Sequence, residues 1–173
     1  MEEILKDFSP GKVDKLTMDK QAQISNMQKY FNYQEQMVRL KKAMAAQFYL
    51  EAIFIEYAVM EDRLESILRH SGVFNPERHN TIQAKLRRVS ELRRAKKCLL
   101  NRSLSEEILQ EIYQWKDERN RLIHALMKQD LHTEDLQKIA LEGQQIVKQL
   151  NSKATNYRKA LERQAAKAQK QEV

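Results

Sequence analysis

Arg119, Asn120 and His124 set a guanidinium, a carboxamide and an imidazole within the run Arg119-Asn120-Arg121-Leu122-Ile123-His124. An imidazole titrates near neutrality and serves as general acid or general base. A guanidinium offers a fork of donors to charge gathering on phosphate oxygens. These are the groups that attack of a 2′-hydroxyl on the adjacent phosphorus requires, and the chemistry needs no metal. Asn120 orients the imidazole or binds a phosphate oxygen. One imidazole can hardly be both acid and base in the same step. A two-fold dimer that brings two copies of His124 together resolves this, and such dimers are the commonest oligomers.

The element that carries these residues is an amphipathic helix. Its apolar seam is Ile108, Ile112, Trp115, Arg119, Leu122 and Leu126, at alternating steps of four and three. That spacing keeps the six side chains on one stripe of a 3.6-residue helix. Five are apolar and one is a cation, which is costly at a core-facing position unless it meets a partner or ligand. Asn120 and His124, at i and i+4, are stacked on a neighbouring stripe. The expected geometry is a groove edge, with the Arg119 guanidinium on one side and the Asn120–His124 pair on the other.

With three glycines and two prolines in 173 residues, and much Leu, Ala, Glu, Lys, Arg and Gln, the chain reads as all-α. Cys98 is the single cysteine, so neither an intramolecular disulfide nor a CxxC metal clip is available. No set of His, Cys and carboxylates has metal spacing, and no cofactor is expected. There is no Gly-rich phosphate loop and no GxSxG. The first residues lack the basic-then-apolar pattern of a secretory signal, and a reducing cytoplasm is the default. Ala43 to Met60 is the most apolar stretch, but Glu51 and Glu56 would each cost a few kcal/mol in a bilayer. It reads instead as a central helix buried nearly all round, its Met and aromatic residues serving as core packing.

The net charge of +7 is concentrated in Lys85 to Lys97, with seven basic residues against Glu91. Such a cluster attracts polyanions through counterion release, or is a solvated helix face. Arg87, Arg88, Arg93 and Arg94 of this run, with Arg121 and Lys128 near the Arg119 seam, are the candidate RNA phosphate contacts.

Three segments are expected: a loose N-terminal arm over 1–18, a helical bundle over 19–150, and a polar helical or frayed tail over 151–173. The bundle holds four to five helices, the long ones antiparallel. A sparse helix over about 18–37 leads into a long helix from Val38 to His70, stopped by Ser71-Gly72. Asn75-Pro76 predicts the start of a basic helix that runs to Cys98. Ser103-x-x-Glu106 has the capping-box pattern and opens the Arg119 helix, expected to end near Asp130. Thr133 begins the final helix, with a stripe through Leu136, Ile139, Ile146 and Leu150. His70 and His79, flanking a Pro turn, are expected to be solvated.

Arg119-Asn120-x-x-x-His124 resembles the R-x4–6-H motif of the HEPN-domain ribonucleases, in the form with a polar residue after the arginine. The run from Phe54 to Leu68 is similar to the long helix that precedes the motif helix in that family, and the resemblance covers roughly residues 38 to 150. It implies a helical bundle, a homodimer and metal-independent endoribonuclease activity at the dimer interface. It also implies roles in toxin–antitoxin, phage-defence or RNA-processing systems, with an antitoxin or other protein partner. Arg119 and His124 take the catalytic positions and Asn120 the supporting one. Members paired with nucleotidyltransferase antitoxins commonly carry tyrosine two residues after the histidine. Leu126 stands there, which argues against neutralisation by modification.

The residues admit other readings. Arg119 in a salt bridge to Glu51 or Glu56 would be a structural ion pair without chemistry. A catalytically inert helical dimer that binds RNA or a protein, or a purely structural helical assembly, would use the same basic helix and tail.

Overall fold

The computed structural model describes residues 10–95, 99–126, 128 and 132–170, with side chains from Met27 onward. Six helices and no strand occur among them: α1 (Pro10–Ala45), α2 (Tyr49–His70), α3 (Ile82–Arg94), α4 (Leu100–Ser103), α5 (Glu106–Ala125) and α6 (Thr133–Gln169). Among the described residues, no helix is long and apolar enough to cross a membrane.

Contacts divide the chain into Met1–Arg39 and Leu40–Val173. The described part of the first unit is a single helix whose Met27, Tyr30, Phe31 and Val38 are exposed. Helix already runs from Pro10, where a loose arm was expected to 18. In the second unit α2 packs on α6 and α3, and α5 on α6 and α3. The core draws on Ile53, Met60, Leu64 and Leu68 of α2, Leu86 and Val89 of α3, Ile108, Ile112 and Trp115 of α5, and Val147 and Leu150 of α6.

The long helix expected from Val38 to His70 is interrupted at Ala46–Phe48. Gln47 has φ +61°, the Phe48 N–H bonds the Ala43 carbonyl at 2.8 Å, and the Gln47 N–H bonds the Met44 carbonyl at 3.2 Å. This pair of bonds is a Schellman cap with glutamine in the left-handed position that usually falls to glycine. A side chain there costs about 1 kcal/mol. Gln47→Gly is therefore expected to stabilise the fold by about 1 kcal/mol, read as a higher midpoint in urea with an unchanged slope.

Three helix ends also differ from expectation. Asn75 Oδ1 does accept two backbone N–H groups, those of Glu77 and Arg78 at 3.0 Å each, but the turn it caps goes no further. α3 starts instead behind Thr81, whose hydroxyl accepts from the Ala84 N–H at 3.2 Å. His79 is buried rather than solvated, and its Nδ1 accepts the Asn75 N–H at 2.9 Å. Ser105, not Ser103, is the N-cap of α5, because Glu106 is drawn to α3: its carboxylate meets Arg93 at 2.6 Å and Arg94 at 3.3 Å. α5 ends at Ala125; Asp130 lies outside the described residues, as do Lys96, Lys97 and Cys98.

α2 and α6 run in the same direction rather than antiparallel. Gly143 lies against Glu56, and further along both helices the Tyr157 hydroxyl bonds Ser71 Oγ at 2.8 Å. Parallel neighbours need a long crossover, here supplied by α3 to α5. α6 continues unbroken beyond Asn151, with Ala154 and Tyr157 buried, and every described residue after Leu161 is exposed.

Candidate functional site

The α5 seam is realised as its spacing predicts. Ile108, Ile112, Trp115 and Leu122 are buried, and Leu126 is half-buried. The Trp115 indole N–H bonds the Ile139 carbonyl of α6 at 2.8 Å, fixing the register of the two helices just before Arg119.

Arg119 is half-buried and makes no ion pair among the described residues. Glu56 does not serve as its partner: both of its carboxylate oxygens are buried without a hydrogen bond. Aromatic rings of α2 stand where the counter-ion was expected. The guanidinium carbon lies 4.6 Å from the Tyr57 ring centroid and 5.0 Å from that of Phe54, within cation–π range. Arg119 Nη1 donates to Asn120 Oδ1 at 3.2 Å, while Nε is buried without a partner. Asn120 is thus bonded to the guanidinium; among the described residues no hydrogen bond joins it to His124. His124 is exposed on the last turn of α5.

Phe54, Tyr57 and Glu61 occupy one face of α2, at steps of three and four. Burial first, and the Glu61 charge second, push the Tyr57 phenol up, against the pull of Arg119, Lys116 and Lys85. Lys116 is buried over the Tyr113 ring at 4.5 Å and donates to Gln83 Oε1 at 2.6 Å. Phe54 is 47 % exposed, so the aromatic content of this stretch is not all core packing as the sequence suggested. These α2 residues escape sequence reasoning because only the packing of α2 on α5 reveals which face meets Arg119. The signal available was the Phe54–Tyr57 spacing itself.

Glu56 points the other way, into the junction of α2, α5 and α6. It is fully buried, and burial pushes its carboxyl up to about 9, so it is protonated at neutral pH. A Cβ built on Gly143 would collide with the Glu56 carboxyl and stand 2.9 Å from Trp115 Cε2. Glycine is the residue that lets α6 approach both.

The candidate phosphate contacts are scattered. Arg121 and Lys128 are exposed, as is Arg87. Arg88 pairs with Glu91 at 3.0 Å, and Arg93 and Arg94 are both engaged by Glu106. Lys85 is buried between Glu61 and Glu65, at 3.0 Å from each. Burial opposes its charge, but the two carboxylates outweigh that and hold the ammonium up. Among the described residues of this run, Lys85, Arg88, Arg93 and Arg94 thus meet carboxylates, while Arg87 faces solvent.

No family model, curated protein or solved structure matches the chain. The functional reading therefore rests on these residues.

Proposed function

We propose that the protein is a metal-independent endoribonuclease of the HEPN type, acting in the cytoplasm as a homodimer whose active site is shared between two copies. What carries this reading is the state of Arg119: a half-buried guanidinium with no carboxylate within ion-pairing distance among the described residues, bonded to Asn120, on the helix whose last turn presents an exposed His124. A buried arginine with a structural role is normally neutralised by a carboxylate. An arginine left charged and unpaired beside solvent is suited to an incoming anion.

In the proposed reaction the 2′-oxygen attacks phosphorus, the P–O5′ bond breaks, and a 2′,3′-cyclic phosphate and a free 5′-hydroxyl result. His124 of one protomer removes the 2′-hydroxyl proton, and His124 of its partner gives a proton to the leaving oxygen. Arg119 stabilises the charge on the non-bridging oxygens, and Asn120 steadies the guanidinium through their bond. Exposed Arg121, Lys128 and Arg87 are the surface cations for neighbouring phosphates, which position RNA without reading its sequence. A toxin, phage-defence or RNA-processing role, with an antitoxin or other protein partner, follows from the family resemblance alone.

Incubation with varied RNAs in the presence of EDTA tests the proposal. Cleavage should persist, with products ending in 2′,3′-cyclic phosphate, and sedimentation at micromolar concentration should give a dimer. RNA binding without cleavage would return the chain to a non-catalytic binding dimer. A monomer that cleaves would remove the shared site.

A further inference from the structure

We infer that Phe54 and Tyr57 are positioning residues that replace the counter-ion of Arg119, so that the guanidinium they clamp is a receptor for a phosphate-type anion. The inference rests on the proposed role of Arg119 and adds two α2 residues that the motif does not contain.

A half-buried guanidinium must be held somehow, because a long side chain free to rotate loses affinity for any ligand it has to meet in one geometry. A carboxylate would hold Arg119 but would also neutralise it and compete with phosphate for the same donors. Two aromatic faces hold it by the ring quadrupole and leave its net charge intact. The distances of 4.6 Å and 5.0 Å to the Tyr57 and Phe54 centroids satisfy that interaction with two rings of one α2 face. The donor set agrees with the assignment: one Nη bonds Asn120, and among the described residues no carboxylate pairs with the guanidinium. Nearby cations do not serve as alternatives, since Lys116 and Lys85 are committed to Gln83 and Asp117, and to Glu61 and Glu65. Phe54 is exposed, so the clamp lies open to solvent on that side.

The test uses the full chain, inorganic pyrophosphate as the anion, and NMR of the Arg119 side chain. In the native protein the Arg119 methylene and Nε–H signals should be shifted upfield by the rings, and pyrophosphate should move the Nε–H signal at saturation. Phe54→Leu and Tyr57→Leu should each abolish part of the ring shift and weaken pyrophosphate about fivefold, the usual worth of one cation–π contact. Phe54→Trp and Tyr57→Phe keep a ring and should retain both signals, which a merely structural role for these positions would not require. For RNA cleavage the leucine variants should lose kcat with little change in KM. Leucine variants that bind pyrophosphate as the native protein does would overturn the clamp. If the native protein cleaves no RNA while pyrophosphate binding still depends on the two rings, the nuclease reading fails and the clamp stands.

Discussion

His124→Ala is expected to lower RNA cleavage by roughly 10² to 10⁴-fold, the range for a positioned acid–base group, while leaving the fold intact. His124 is exposed at the end of α5 and forms no hydrogen bond among the described residues, so its removal leaves nothing stranded. Arg119→Ala should lower cleavage by a similar factor, through loss of charge stabilisation on the phosphate oxygens. The structure also separates the two variants from the usual case of a broken buried pair. Because no carboxylate is paired with Arg119 among the described residues, its removal orphans none of them, and the stability cost should stay near that of lost packing on Phe54 and Tyr57, about 1–2 kcal/mol. The check is a pair of measurements on each variant, single-turnover cleavage and urea unfolding. Full activity in the His124→Ala protein would falsify the catalytic assignment.

The largest effect on stability is expected at Glu56. Its folded-state pKa of about 9 lies far above the ordinary carboxylate value of 4.5 that the unfolded chain adopts. Between these values the folded protein holds a proton that the unfolded chain has released, so stability is greatest below the unfolded value and falls as pH rises. Each unit contributes a loss of about 1.4 kcal/mol, or roughly 4 kcal/mol between pH 5 and pH 8. Glu56→Gln is near-isosteric and cannot ionise, and should remove this slope. Urea unfolding of both proteins at pH 5, 6.5 and 8 decides the matter, and parallel pH profiles would sink the assignment. Gly143 offers the steric counterpart. Alanine is the better helix former by about 1 kcal/mol, yet Gly143→Ala should destabilise by about 1–3 kcal/mol because its Cβ meets both Glu56 and Trp115. In a Glu56→Ala background one of those collisions is gone, and the same substitution should cost less.

Much of α5 is legible in the amino-acid sequence, because a stripe with steps of three and four is a local property of the chain. Ile112, Trp115 and Leu122 fall where that stripe puts them, and the odd cation among them is the half-buried one. The break at Gln47 is not legible: Ala45-Ala46-Gln47 holds neither glycine nor proline, and nothing in the local sequence announces a left-handed residue. Asn75-Pro76 carries a true cap signal for a turn too short to become α3. Glu106 fits a capping box, but two arginines brought in from α3 claim its carboxylate. What surrounds Arg119 is hidden for the same reason. A salt bridge to Glu56 and an aromatic clamp by Phe54 and Tyr57 differ only in which side of α2 faces α5, and that is decided by the packing of the whole bundle.

The same-direction packing of α2 and α6 bears on the order in which the molecule is built. α2 finds its principal neighbour in a helix that leaves the ribosome only after α3, α4 and α5 have been made. Until Gly143 and Tyr157 emerge, the face of α2 that carries Glu56, and Ser71 at its C-terminal end, lack their α6 partners. Pairings so distant in sequence carry a loop-closure cost before they return any stabilisation, which slows folding. The nascent chain thus exposes the α6-facing side of α2 until α6 has been made.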